Sequence, residues 1–106
     1  MDTVNEADWK LFKEKLPVWQ ENYMARINKK LVSILSDESL NAGDRFWKAE
    51  KLINREKKCT GVICEMRRNA MFMNIISLLQ EKAITVEDLS EFSPELQGRI
   101  KMMFRG

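Results

Sequence analysis

The stretch Ala70-Met71-Phe72-Met73-Asn74-Ile75-Ile76-Ser77-Leu78-Leu79 decides the fold. It contains no Gly or Pro, and its Met, Leu and Ala content favours helix. Only Asn74 and Ser77 interrupt the apolar run, so at 100° per residue its apolar side chains point almost all round. A helix of that kind has to be surrounded. It is therefore expected either at the centre of an all-α fold or in a subunit interface. At ten residues it is too short for a bilayer, which needs roughly 20, so no membrane role is expected.

Outward from this stretch, every segment reads as helix. The central element is predicted to run from Gly61 to Lys82, behind the punctuation Cys59-Thr60-Gly61 with Thr60 as N-cap. Downstream, Thr85-Val86-Glu87-Asp88 resembles a capping box with Asp in place of Glu. Ser93-Pro94-Glu95 is a helix start: N-cap Ser, Pro at N1, then an acid. The helix that follows, Pro94 to Phe104, places Leu96, Ile100, Met103 and Phe104 on one face. Upstream, a third helix is predicted from about Asp44 to Lys58 with Phe46, Ala49 and Ile53 inward. It follows the polar connection Ser36-Asp37-Glu38-Ser39 and Asn41-Ala42-Gly43. A second helix, Pro17 to Ser36, carries Tyr23, Met24, Ile27, Leu31, Ile34 and Leu35 within a 120° arc. The first starts at the N-cap Asn5, with Glu6 and Asp8 in its first turn and Trp9, Phe12 and Leu16 on one face. Pro17 either opens the second helix at its N1 position or kinks a continuous one, and a break or sharp kink is expected there. The prediction is one domain spanning residues 1–106: an all-α bundle of about five helices, the fourth at its centre. Trp9, Phe12, Trp19, Phe46, Phe72 and Phe104 should supply much of the buried area.

Composition narrows the function classes. One hundred and six residues with 44% hydrophobic and 32% charged content suit one folded domain and exclude a disordered or collagenous chain. There is no His, the commonest general acid/base and metal ligand. The two cysteines, Cys59 and Cys64, have neither redox-pair nor zinc-ligand spacing. Both are expected as thiols, Cys64 as a small buried hydrophobe. No Gly-rich phosphate loop or dinucleotide fingerprint is present. The opening Met1-Asp2-Thr3-Val4-Asn5-Glu6 has no basic or apolar region of a secretory signal, so a cytoplasmic protein is the expectation. No enzyme, metal or cofactor is expected.

Charge is segmented although the net value is only +2. Lys10 to Lys30 holds six basic and two acidic residues, Asp44 to Arg68 holds eight and four, and Ala83 to Gln97 holds four acids and no base. On the third helix Lys48, Lys51, Arg55 and Lys58 fall in an 80° arc, bordered by Trp47, with Arg67 and Arg68 as an extension beyond the turn. Cations to displace counterions beside a ring that can stack are what a nucleic-acid surface uses; the same stripe would suit an acidic protein, or serve as a solvated face. A helix-turn-helix with Arg99, Lys101 and Arg105 on the last helix is disfavoured by Glu87, Asp88, Glu91 and Glu95 beside it. Met66, Met71, Met73, Met102 and Met103 could line an adaptable groove or pack in the core. Met71, Ile75, Leu78 and Leu79 form the candidate self-association surface.

Gly61-Val62-Ile63-Cys64-Glu65-Met66-Arg67-Arg68, Asn74-Ile75-Ile76 and Asp88-Leu89-Ser90-Glu91-Phe92-Ser93, together with Asp8-Trp9-Lys10 and Leu16-Pro17, resemble short uncharacterised bacterial all-helical proteins of about this length. The resemblance extends over most of the chain and implies no activity or binding residue. The expected function is a non-catalytic interaction module that engages a protein partner or a second copy as a homodimer. The alternative is a small nucleic-acid-binding protein using the third-helix stripe.

Overall fold

The computed structural model describes residues 5–104, all helix and turn with no strand among them. Asn5 starts the first helix as expected, its Oδ1 accepting the Ala7 and Asp8 N–H groups at 2.8 and 3.2 Å. This helix, α1, runs from Glu6 to Leu35 without a break. Thirty residues at 1.5 Å rise make a rod about 45 Å long. The predicted first and second helices are therefore one, and the bundle has four α-helices: α1, α2 (Ala42–Glu56), α3 (Met71–Gln80) and α4 (Pro94–Met103). Two short 3-10 turns, Arg68–Ala70 and Val86–Leu89, lie between them.

Pro17 sits inside α1 because the buried stripe does not change phase there. Trp9, Phe12, Leu16, Trp19, Tyr23 and Ile27 are all buried and fall within about 80° at 100° per residue. Trp19 carries the stripe across the proline. Pro17 itself is exposed, on the side where water can solvate the Lys13 carbonyl that loses its donor. The missing bond still costs. Replacing Pro17 with Ala is expected to raise stability by ~1–3 kcal/mol, read as a higher urea midpoint at unchanged slope. A lower midpoint would show that the ring itself packs.

α1 is the spine of the molecule. Its N-terminal half meets α3, α4 and the turns before them in one core: Phe12, Ile75, Leu78, Leu89 and Ile100 are fully enclosed. A row of rings crosses it, Trp9 on Phe12, Phe12 edge-on to Trp19, and Trp19 on Phe92, each with centroids 6.2 Å apart. Asp8, buried with 4% exposure, ties the two ends of the chain together. Its carboxylate accepts the Ser93 N–H at 2.8 Å and the Ser93 hydroxyl at 2.6 Å. Ser93 in turn caps α4 by accepting the Leu96 N–H, as the Ser-Pro-Glu signal predicts. The Asp88 carboxylate accepts the Thr85 N–H at 2.7 Å, so that capping box forms, on a 3-10 turn rather than an α-helix.

The predicted fourth helix shrinks to ten residues and is not central. Residues 61–67 are non-helical. Gly61 passes flat against Tyr23, where a Cβ would lie 2.6 Å from the ring. The Thr60 and Gly61 N–H groups both donate to the Glu81 carboxylate at 2.9 Å. That turn is held from α1 and from the end of α3, contacts that local propensity does not see. Val62-Ile63-Cys64 continues it with β-branched residues that favour extended backbone. α3 is buried much as its composition demands: Met71, Ile75, Ile76, Leu78 and Leu79 are in the core, but Met73 is 56% exposed. The centre belongs to α1, the one element long enough to supply both cores.

The C-terminal half of α1 pairs with α2, and near Tyr23 and Arg26 it also meets the turn after α2 and the Lys82 carbonyl. Arg45 bonds the Leu35 and Leu40 carbonyls at one end and Tyr23 donates to Glu56 at the other, so the two helices run antiparallel. A second, smaller core of Tyr23, Ile27 and Leu52 lies between them. The hairpin projects as an arm. The Cα radius of gyration is 16.6 Å, against about 13 Å for a compact chain of this length.

Candidate functional site

The arm is the least covered part of the molecule and carries the surfaces with functional character. Residues 28–48 include no buried side chain. On α2 the inward positions are Ala49 and Leu52, with Arg45 and Glu56 half-buried. Phe46 and Ile53, predicted to face inward, are instead 59% and 46% exposed. The reason is rotational. An apolar arc wider than the contact with a single partner helix leaves one flank outside, and the inward direction falls between Ala49 and Leu52.

Helix geometry then assigns the two flanks. With α1 and α2 antiparallel and 100° between successive residues, Val32 and Leu35 of α1 lie on the same side of the hairpin as Phe46 and Ile53 of α2. Trp47 is at that side's outer edge, its ring edge-on to Phe46 at 4.9 Å. Val32, Leu35 and Trp47 are 66%, 51% and 63% exposed. Lys29 and Lys30 of α1 lie on the opposite side with Lys48, Lys51, Arg55 and Lys58, all exposed. The arm has one apolar side and one basic side.

The predicted stripe on α2 is exposed, and its predicted extension lies apart from it. Lys48, Lys51, Arg55 and Lys58 project to solvent, Arg55 with its Nε 3.3 Å from Glu56. Arg67 and Arg68 do not join them. Arg68 pairs with Glu6 at 2.8 Å and Arg67 with Glu65 at 2.9 Å. Glu6 is separated along α1 from Tyr23, where α2 ends, by about 26 Å. What sequence reasoning missed is the contribution of Lys29 and Lys30, because which helix lies beside α1 is a tertiary fact.

The predicted self-association residues are elsewhere. Met71, Ile75, Leu78 and Leu79 are at most 3% exposed, packed against Phe12, Leu89 and Ile100 of the same chain. The apolar surplus of that helix is satisfied in cis. The Met-rich groove does not assemble as such: Met71 is core, while Met66, Met73, Met102 and Met103 are exposed. Nor does a helix-turn-helix form, since a four-residue 3-10 turn precedes α4. Arg99 there covers the Phe72 ring at 4.2 Å, and Arg105 lies outside the described residues.

At the root of the arm a polar cluster joins α1, α2 and the turn after α2. The Tyr23 hydroxyl donates to Glu56, which holds the Glu56 carboxyl below the ordinary glutamate value, with Arg55 helping. Burial, then the Glu56 bond, pushes the Tyr23 phenol up. Burial also pushes both thiols up, Cys59 and Cys64, with the Glu81 carboxylate adding to it. Both cysteines are free and half-buried, with the low thiolate content of structural rather than nucleophilic cysteines. Because the folded-state value of Glu56 is depressed, its contribution to stability is complete above the ordinary value of about 4.5 and is lost as pH falls through the folded value. The melting temperature is expected to drop as pH falls below about 5, and Glu56→Gln to flatten part of that drop. An unchanged slope in Glu56→Gln would show that other carboxylates carry it.

A cavity of about 760 Å³ lies where the arm meets the C-terminal segment, walled by Leu79, Ile84, Val86, Met103 and Phe104. Its rim includes Arg26, whose guanidinium is fixed 2.6 Å from the Lys82 carbonyl. Lys82 has a φ of 60°. Among the described residues no three His, Cys, Asp or Glu side chains group to hold a metal, and no helix is long and apolar enough to cross a membrane. Comparison of the chain with protein-family models, curated proteins and solved structures gave no match.

Proposed function

We propose that this chain is a non-catalytic helical interaction module whose working part is the α1–α2 arm. The observation that supports this is the apolar side of the arm, where helix geometry sets Val32, Leu35, Phe46 and Ile53 on one flank, all exposed, with Trp47 against Phe46 at its edge. Single exposed apolar residues are ordinary, but several on one flank of a projecting element mark a contact surface. Isolated helices of this length are marginal in water, so the distal arm gains most from a partner. The test is capture from a native lysate, with and without nuclease, using tagged wild type and tagged Phe46→Glu/Ile53→Glu as baits. A nuclease-resistant protein retained by wild type and lost by the variant is expected. Identical captures would overturn the reading.

A second reading, nucleic-acid binding, is favoured by the basic side, where Lys29 and Lys30 widen the stripe of Lys48, Lys51, Arg55 and Lys58. Contact there would be with phosphates and largely sequence-independent. Gel shift at low salt with duplex and single-stranded probes decides it. Binding through four phosphates would give a log–log salt slope of about −3.6 on duplex DNA, and Lys51→Glu/Arg55→Glu would abolish it without unfolding an exposed face. No shift of either probe would retire it.

A further inference from the structure

We infer that the occupant of the arm's apolar side is a second copy of this chain, which docks hairpin against hairpin to close an antiparallel four-helix bundle; this rests on the interaction-module reading above. Three observations select that occupant. The first is area. Val32, Leu35, Phe46, Trp47 and Ile53, 46–66% exposed, present apolar surface on the order of 500 Å². With the polar positions between and around them, one side of the hairpin reaches the ~800 Å² per partner of a standard interface. The second is charge. Six cations of the arm, Lys29, Lys30, Lys48, Lys51, Arg55 and Lys58, lie on the other side. The apolar side holds one acid and one base on α2, Glu50 and Lys57. A two-fold pairing through this side brings neutral surface against neutral surface and leaves the basic sides outermost. An acidic partner would be drawn to the opposite side of the arm. The third is the missing core. A two-helix hairpin with nothing buried over residues 28–48 is half of a four-helix bundle, and an isologous contact supplies the other half from the same sequence. Leu31 and Ile34, half-buried against the small core, would be sealed by it.

The location differs from the predicted one: the contact is on α1 and α2, with α3 left in its own core. The mutual approach also predicts a salt response. Because the basic sides point away, raising salt leaves the association unchanged or strengthens it slightly, whereas copies bridged by nucleic acid separate in salt.

The experiment is sedimentation equilibrium of the purified, nuclease-treated full chain across the micromolar range, at low and high salt. Wild type is compared with Phe46→Asp/Ile53→Asp and with Met73→Asp, a control at an exposed position on α3. Circular dichroism checks that each stays helical. Expected are a wild-type dimer at both salts, an equally stable Met73→Asp dimer, and association weakened ~30-fold or more in the double variant. A second measurement needs no substitution: Trp47 emission in wild type should shift to the blue as concentration rises through the dimerisation range. A wild-type monomer over the whole range overturns the inference, as does a dimer that the double variant retains or that salt dissolves. If wild type is monomeric while the lysate capture remains sensitive to Phe46 and Ile53, the interaction module stands with a different partner. If both fail, both readings fall.

Discussion

Ile76→Asp is expected to remove a large share of the protein's stability, about 3–5 kcal/mol. Ile76 is 5% exposed on α3, in the core that also contains Trp9, Phe12 and Leu16 of α1 and Leu89 and Ile100 near the C-terminus. None of the core residues carries a positive charge to pair with an introduced carboxylate. The new group either desolvates as an ion or takes up a proton, and both cost free energy. An unpartnered buried charge costs about 3–5 kcal/mol, against a total stability of about 5–15 kcal/mol for a domain of this kind. A melting transition lowered by about 12–40 °C in far-ultraviolet circular dichroism checks it. A variant melting within a few degrees of wild type would mean that this face of α3 is solvated. Met73→Asp, three residues earlier but exposed, should melt close to wild type, which makes the pair a test of the α3 orientation.

Phe12→Ala should cost nearly as much, about 3–5 kcal/mol. Phe12 is fully buried between Trp9 and Trp19, with ring centroids 6.2 Å from each. Truncation removes the transfer free energy of the ring. It also leaves a void that the two indoles, fixed on the same rigid helix, cannot collapse to fill. Phe12→Leu keeps most of the volume and should lose less than about 1.5 kcal/mol. Urea denaturation followed by tryptophan emission separates the two, because Trp9 and Trp19 report this core while Trp47 stands outside it. A Phe12→Ala cost under ~1 kcal/mol would show that α1 is not the spine on which the larger core is built.

Both predictions depend on a feature only half legible in the sequence. Asn5, Ser93 and the Thr85–Asp88 pair were readable as punctuation because capping is local. α2 begins at Ala42 rather than at the expected Asp44; its cap is Asn41, whose Oδ1 accepts the Asp44 N–H at 2.7 Å. The all-α class was readable for a similar reason, since helix-favouring composition and 3.6-residue periodicity are summed over many positions. Pro17 shows where such reading ends. Its local chemistry opposes a helix interior, and the ring row Trp9, Phe12, Trp19 outweighs it only once Phe92 and α3 are there to be packed against.

The arm makes the same division. That α2 has a basic stripe and an apolar arc follows from its residues alone, because those are properties of one helix turned about its own axis. That the inward direction lies between Ala49 and Leu52 follows from packing against α1. That leaves Phe46, Trp47 and Ile53 outside and sets Lys29 and Lys30 beside Lys48 and Arg55. Likewise the sequence required that Met71, Ile75, Leu78 and Leu79 be covered. That they are covered by α1, Leu89 and Ile100 of the same chain, and not by a partner, was settled by contacts between residues far apart in sequence. No window of neighbouring residues contains the information about which surface a distant segment will reach.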